Sequence, residues 1–268
     1  MSNAIIRVSS LAGWTDCPRR NASRTFGALL SEHGYEFRQR VNNVASSFGT
    51  GIHSGSEVVL QAKIDGKEVS LESMTEAACE SFRTQIRDGV EYDDTTGNLN
   101  IADKQIASMC RAWYYGVLPK LNPVMVEGAM EAVAPGGLTV TGHPDVIEID
   151  TVRDLKTGRG GSGYHAQLGG YSLLAKAHEM AAPVWSVVDW IPRSSLSKPQ
   201  PTPVEYRYPA SVCEQEAKSV LAEVARQYEA YVRKQDIGVF ACNTMSTICS
   251  ERYCQAYGTD WCPVSQTL

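Results

Sequence analysis

The feature that most constrains the fold is a change of texture over residues 123–158. Upstream the chain reads as helix. Here PVMVEGAMEAVA, the turn signal Pro135-Gly136-Gly137 and LTVTGHPDVIEID read as a β-hairpin, and TVRDLKTG as a third strand. Helices are expected over 42–62, 72–88, 100–118 and 210–235. In the last of these, Val212, Ala217, Val220, Leu221, Val224, Tyr228 and Tyr231 recur at three- and four-residue spacing, with Glu, Lys and Arg on the other face. The Gly-rich GRGGSG leads into a further helix over 164–180, and PVWSVVDWIPR and VEYRYP supply two more strands. This order predicts an α/β core in which helices flank a small mixed sheet.

Composition narrows the function classes. The 268 residues are 43% hydrophobic and 21% charged, which describes a globular chain rather than a disordered or collagen-like one. The length suits a single domain, divided into an N-terminal segment 1–41, a core 42–238 and a tail 239–268. With 25 Lys+Arg against 30 Asp+Glu the formal charge is −5, which argues against a general electrostatic coat for nucleic acid and leaves room for a local basic groove. No apolar run approaches the roughly 20 residues of a membrane span. MSNAIIRVSSLAGW breaks its apolar stretch at Arg7, so no signal-peptide core is read there and a cytoplasmic setting is expected. Eight cysteines in a reducing compartment direct attention to metal or cluster binding.

Asp154 and Lys156 stand two apart on the expected third strand, so both project from one face while Leu155 points into the core. Asp145, on the neighbouring hairpin strand, can bring a second carboxylate to the same spot. Two hard oxygen ligands beside a cation suit Mg²⁺ or Mn²⁺ and phosphoryl chemistry. Taken alone, D-x-K is a common surface pair. The following helix adds Gln167 and Tyr171, four apart on one side, and FGTGIHSG places His53 after a glycine-containing turn at the head of a helix. A P-loop reading of Gly158 to Gly163 fails, because Tyr164 and His165 stand where that motif needs Lys and Ser/Thr. Backbone N–H groups of this loop remain able to hold a phosphate at the helix N-terminus.

The ordered set His53, Asp145, Asp154-x-Lys156, Gln167-x-x-x-Tyr171 resembles the PD-(D/E)XK nuclease superfamily, in its RecB-like branch. The resemblance implies a restriction-endonuclease-like core, with a metal held by His53, Asp145, Asp154 and the Leu155 carbonyl. It makes Lys156 the catalytic lysine, with Gln167 and Tyr171 orienting it or the substrate, and it offers Glu127 as a further acid with Glu131 as competitor.

Cys249, Cys254 and Cys262 lie in an aperiodic tail, and Cys17 precedes Pro-Arg near the start of the chain. This arrangement resembles the RecB-like nucleases that carry a [4Fe–4S] cluster, among them AddB-type, CRISPR-associated Cas-four type and phage exonucleases. It implies that a four-cysteine cluster joins the two ends of the chain. Zn²⁺ is the alternative, and Cys242 can replace one ligand. Cys79, Cys110 and Cys213 fall in helical patterns and read as small buried hydrophobes. The resemblance further implies a single-stranded DNA substrate cut from an end, in recombination, replication or repair, with proteins of those processes as partners. Arg19, Arg20 and Arg24, with Arg38 and Arg40, offer cations for a phosphate track. The alternatives are a non-catalytic nucleic-acid-binding module on the same fold and an end-processing nuclease of CRISPR adaptation.

Overall fold

A computed structural model describes residues 4–39, 41–68, 70–134, 136–158, 160, 163–180 and 182–263. The chain opens with a short strand, β1 (Ile5–Arg7), and three short helices, α1 (Leu11–Asp16), α2 (Pro18–Thr25) and α3 (Gly27–Glu32). Periodicity does not reveal these elements, because pieces of three to eight residues barely complete the helical repeat. The three long helices that follow form where the apolar spacing places them: α4 (Val44–Ile64), α5 (Leu71–Gln85) and α6 (Leu99–Gly116). Each starts at a side chain suited to it. Asn43 accepts the Ser46 N–H, Ser70 accepts from Glu72 and Ser73, and Asn98 accepts from Ile101.

The hairpin forms, but it divides between two sheets. The stretch read as one strand is two, β2 (Met125–Val126) and β3 (Met130–Val133), and its return is likewise split into β4 (Thr139–Gly142) and β5 (Val146–Ile147). Then come β6 (Thr151–Lys156), α7 (His165–Ala177), β7 (Trp185–Trp190), β8 (Val204–Pro209) and α8 (Ala210–Lys234). One sheet has the order β2-β5-β6-β7-β8, with β6 and β7 parallel across the α7 connection; the other has the order β1-β4-β3, with β1 parallel to β4. The break falls after Val126. There Glu127 adopts a φ of 47°, in the left-handed region that non-glycine residues rarely enter, and donates its N–H to the Pro144 carbonyl at 3.1 Å. Glu127-Gly128 interrupts the apolar run there, but the apolar residues on either side read as one strand in the sequence.

The five-stranded sheet separates two cores. Val146 and Leu155 pack with Phe48, Ile52, Phe82 and Trp113 of the α4–α6 layer. Ile147 and Val152 join Tyr171, Leu174, Leu221 and Val224 beneath α7 and α8. Each such side chain removed from water contributes about 1.5–3 kcal/mol. Asp154 and Lys156 therefore face α7. α7 and α8 lie so close that a Cβ on Gly169 would sit 1.9 Å from the Cys213 carbonyl oxygen. Cys79, Cys110 and Cys213 are buried in these layers, where burial pushes their thiols up to about 11, 12 and 11. No helix among the described residues is long and apolar enough to cross a membrane.

Candidate metal centre and active site

The parting of the two sheets opens a cleft of about 900 Å³, and the polar residues singled out in the sequence line it. His53 comes from the middle of α4, not from the head of a helix after a turn as the FGTG stretch suggests. The glycines are helical. A Cβ on Gly51 would lie 2.8 Å from the Ala78 carbonyl oxygen, so the small residue serves close packing of α4 on α5. Asp145 stands in the β4–β5 connection immediately before β5, where the strands have already separated. Its Oδ1 meets His53 Nδ1 at 3.0 Å and its Oδ2 accepts the Leu155 N–H at 2.5 Å. The β5–β6 pairing ends at Arg153, so this carboxylate takes the place of the next rung of the ladder. N–H and C=O of one strand residue project toward the same neighbour. The Leu155 carbonyl therefore faces the same gap.

Glu127 is the third member. One ligand atom each of His53, Glu127 and Asp145 lies within 4.8 Å of the other two, a spacing that a metal ion can span. Glu131, its competitor in the sequence, is exposed on β3 and lines the same cleft outside this group, and its carbonyl accepts from His178 Nε2 at 2.9 Å. Asp154 also lies outside it. Its Oδ1 accepts from Gln167 Nε2 at 2.8 Å, and the same amide reaches the Tyr171 hydroxyl at 3.3 Å. Its Oδ2 is closed off from solvent and pairs with the Lys156 ammonium. Lys156 Nζ in turn sits 5.0 Å from the centroid of the Tyr164 ring.

The charges in this cleft are strongly interdependent. Burial opposes a charged imidazole at His53, but the Asp145 carboxylate outweighs it and raises the group to about 10. Burial likewise pushes against the Asp145 carboxylate, and the charged His53 overcomes it, holding Asp145 below the usual range. Glu127 is raised, chiefly by burial. Burial lifts Asp154 to about 6 despite the pull of Lys156, and Lys156 is itself held above its ordinary value by Asp154 against the cost of its burial. Burial, and then Asp154, raise the Tyr171 hydroxyl, which remains a neutral hydrogen-bonding group.

The family model of the PD-(D/E)XK nuclease superfamily matches residues 7–263. The chain belongs to that superfamily. The match makes this protein a nuclease by family. Among solved structures, a proposed exonuclease from Eubacterium rectale resembles this PD-(D/E)XK nuclease with a TM-score of 0.51 over 92% of this chain and 87% of that one, at 11% identity, a likeness of fold. The structure of LHK-Exo in complex with dAMP aligns over 71% of this chain and 97% of its own, at 13% identity and a TM-score of 0.32. No curated protein matches the sequence.

The arginines expected to form a phosphate track are engaged elsewhere in the nuclease. Arg19 is buried and donates to the carbonyls of Phe240 and Ile237, both at 3.0 Å. Arg20, 3% exposed, pairs with Asp16 and donates to Ser246. Arg24 donates to the Tyr253 carbonyl at 3.0 Å, and Arg38 pairs with Glu251. All four contact the C-terminal segment. Arg40, and Arg159, Gly161 and Ser162 of the Gly-rich loop, lie outside the described residues. Sequence reasoning missed Arg7 and His143, which line the same cleft. His143 is two residues from Asp145 and was within reach of a motif reading. Arg7 is brought there only by the parallel pairing of β1 with β4, which sets it opposite Thr141.

The cysteines converge on the contact between the chain ends. Cys242 and Cys262 approach to 3.7 Å between sulfurs. The Cys249 thiol is raised by burial and then by the proximity of Cys242, Cys254 and Cys17.

Proposed function

We propose that the protein is a divalent-metal-dependent deoxyribonuclease of the RecB-like branch, which hydrolyses single-stranded DNA from an end. The observation that carries this reading is the convergence of His53, Glu127 and Asp145 beside the Asp154–Lys156–Gln167 set, from five segments of chain, in one cleft. The donor set of two carboxylates and one imidazole, with the Leu155 carbonyl facing the same gap, suits Mg²⁺ or Mn²⁺. Oδ2 of Asp154, buried and paired with the Lys156 ammonium, supplies a further oxygen on the same cleft. When bound, the ion lowers the pKa of a coordinated water and polarises a phosphate oxygen.

The chain's own residues complete the chemistry. Gln167 fixes the rotamer of Asp154 through its amide, and Tyr171 holds that amide from the other side. Lys156, charged at neutral pH, directs its ammonium into the cleft, where it orients the attacking water or stabilises charge gathering on the phosphate. Leu155 locks Asp145 through its backbone N–H, so the carboxylate is preorganised before substrate arrives.

The second part of the reading is a [4Fe–4S] cluster held by Cys17, Cys249, Cys254 and Cys262, with Cys242 as the rival for one position. Support comes from the gathering of these sulfurs around the joined ends of the chain. Zn²⁺ is the alternative occupant of the same sulfurs. On this reading residues 1–268 act as one nuclease domain.

Cleavage of end-labelled single-stranded DNA by anaerobically purified protein, with Mn²⁺, Mg²⁺ or chelator, tests the reading beside Lys156→Ala and Asp154→Ala. Metal-dependent shortening from one end, absent in both variants, is expected. Equal activity in chelator, or in both variants, would overturn it.

A further inference from the structure

The face of the sheet that carries Asp154 and Lys156 continues beyond the cleft. In register, Lys156 stands beside Trp190 on β7, and Asp154 beside Val188, which is followed by Tyr206 on β8. Paired residues of adjacent strands share a face, so Trp190 and Tyr206 extend the row begun by the proposed catalytic lysine. α7 covers the middle of this face, where Val188 is fully buried against Leu168. It ends before the outer corner. Trp190 and Tyr206 are half-buried there, with ring centroids 6.3 Å apart. Trp190 is held by its indole N–H, which donates to the Gly158 carbonyl at 2.8 Å. The next aromatic on β8, Tyr208, is capped edge-on by His165 at 4.3 Å. Trp190 and Tyr206 thus stand at the end of the row nearest Lys156, with Tyr208 beyond them.

We infer that Trp190 and Tyr206 form a stacking platform for unpaired bases of the strand whose phosphate lies at Lys156, an inference that rests on the nuclease reading above. Every base has a π-face, and an aromatic pair next to a phosphate-binding cation suits a single strand without regard to sequence. Bases in a duplex have their faces already stacked. The platform therefore supplies a physical basis for single-strand preference, and it does so with residues apart from the metal site.

The test is binding of labelled oligo(dT), and of an abasic strand with the same phosphates, in chelator so that nothing is cut. Wild type, Trp190→Leu and Tyr206→Leu are compared by anisotropy. The wild type should bind oligo(dT) about 10-fold tighter than the abasic strand, and each substitution should remove most of that difference while leaving abasic binding unchanged. Wild-type affinity equal for the two strands, or a folded Tyr206→Leu protein with undiminished oligo(dT) affinity, would overturn the inference. Should Trp190→Leu misfold through loss of its bond to Gly158, Tyr206→Leu decides alone. Cleavage with Mn²⁺, run in parallel, separates the two claims. Base-dependent binding without cleavage upholds the platform and sinks the nuclease reading, and cleavage indifferent to bases and variants does the reverse.

Discussion

A cation and a carboxylate at each of two neighbouring positions govern what the cleft can bind. Lys156 pairs with Asp154, and His53 with Asp145. Replacing Lys156 with Ala is expected to cut the cleavage rate by about 10²–10³, the usual effect of one charge-stabilising group, with an unchanged circular dichroism spectrum; a smaller loss in a folded variant would remove the lysine from the chemistry. The protonation of His53 gives a second prediction. In the metal-free protein the imidazole is charged until about pH 10. A bound ion needs it neutral, so binding releases that proton and affinity rises with pH, about tenfold per unit between pH 7 and 9. Below about 6, Asp154 also takes up a proton, and the dependence should steepen. Titrating Mn²⁺ calorimetrically at several pH values reads the slope, and a flat profile would remove His53 from the ligand set. These residues were legible in the sequence because the strand period of two puts Asp154 and Lys156 on one face and the helix repeat puts Gln167 and Tyr171 on one side. Glu127 and Glu131 were not separable in that way. Both precede the turn and both line the cleft, and it is Glu127, at its left-handed φ, that joins His53 and Asp145.

At the scale of elements, the site depends on how β6 is held on each face. On the side away from α7, Arg153 is buried among Glu148, Asp189 and Glu205, with Nε 2.7 Å from Glu148 and Nη1 3.2 Å from Asp189. Removing one partner of such a buried group strands the others. Arg153→Ala should therefore cost about 3–5 kcal/mol in chemical denaturation, and Arg153→Met considerably more than the neutral outcome seen when a whole ion pair is replaced. On the opposite side the close crossing of α7 and α8 makes Gly169→Ala a severe change. Its methyl would meet backbone rather than a side chain that can swing away. A loss of about 3 kcal/mol is expected, and because α7 carries Gln167 and Tyr171, cleavage should fall with stability. An alanine variant as stable as the wild type would mean that the two helices are free to part. The long helices were readable from apolar spacing and caps. The split hairpin was not, since pairing of β1 with β4 recruits the far half of each strand to a second sheet across more than one hundred residues of sequence.

For the whole molecule, the decisive contact is between the chain ends. Trp261 donates its indole N–H to the Arg19 carbonyl at 2.9 Å, and Gln255 donates to the Ser23 carbonyl at 2.8 Å. Asp16 accepts from Ser246 at 2.7 Å. Over residues 235–262 the segment after α8 carries one short 3₁₀ turn, at Ile237–Val239, and is held by these contacts and by the buried Phe240 and Trp261. If a cluster is added to this clasp, its loss should loosen the tail before the nuclease core. Limited proteolysis of Cys254→Ser is expected to cleave near residues 240–263 first, with loss of iron and of visible absorbance; full iron retention in that variant would remove Cys254 as a ligand. By itself the sequence determined the α/β class, the long helices, the D-x-K face and the pairing of Gln167 with Tyr171, because those are matters of local period. Only the tertiary structure decided that Glu127 joins His53 and Asp145, that the N-terminal arginines bind the tail, and that Trp190 and Tyr206 extend the face of Lys156. Each of these depends on which distant backbones become neighbours, and strand pairing and burial choose those neighbours without leaving a local repeat.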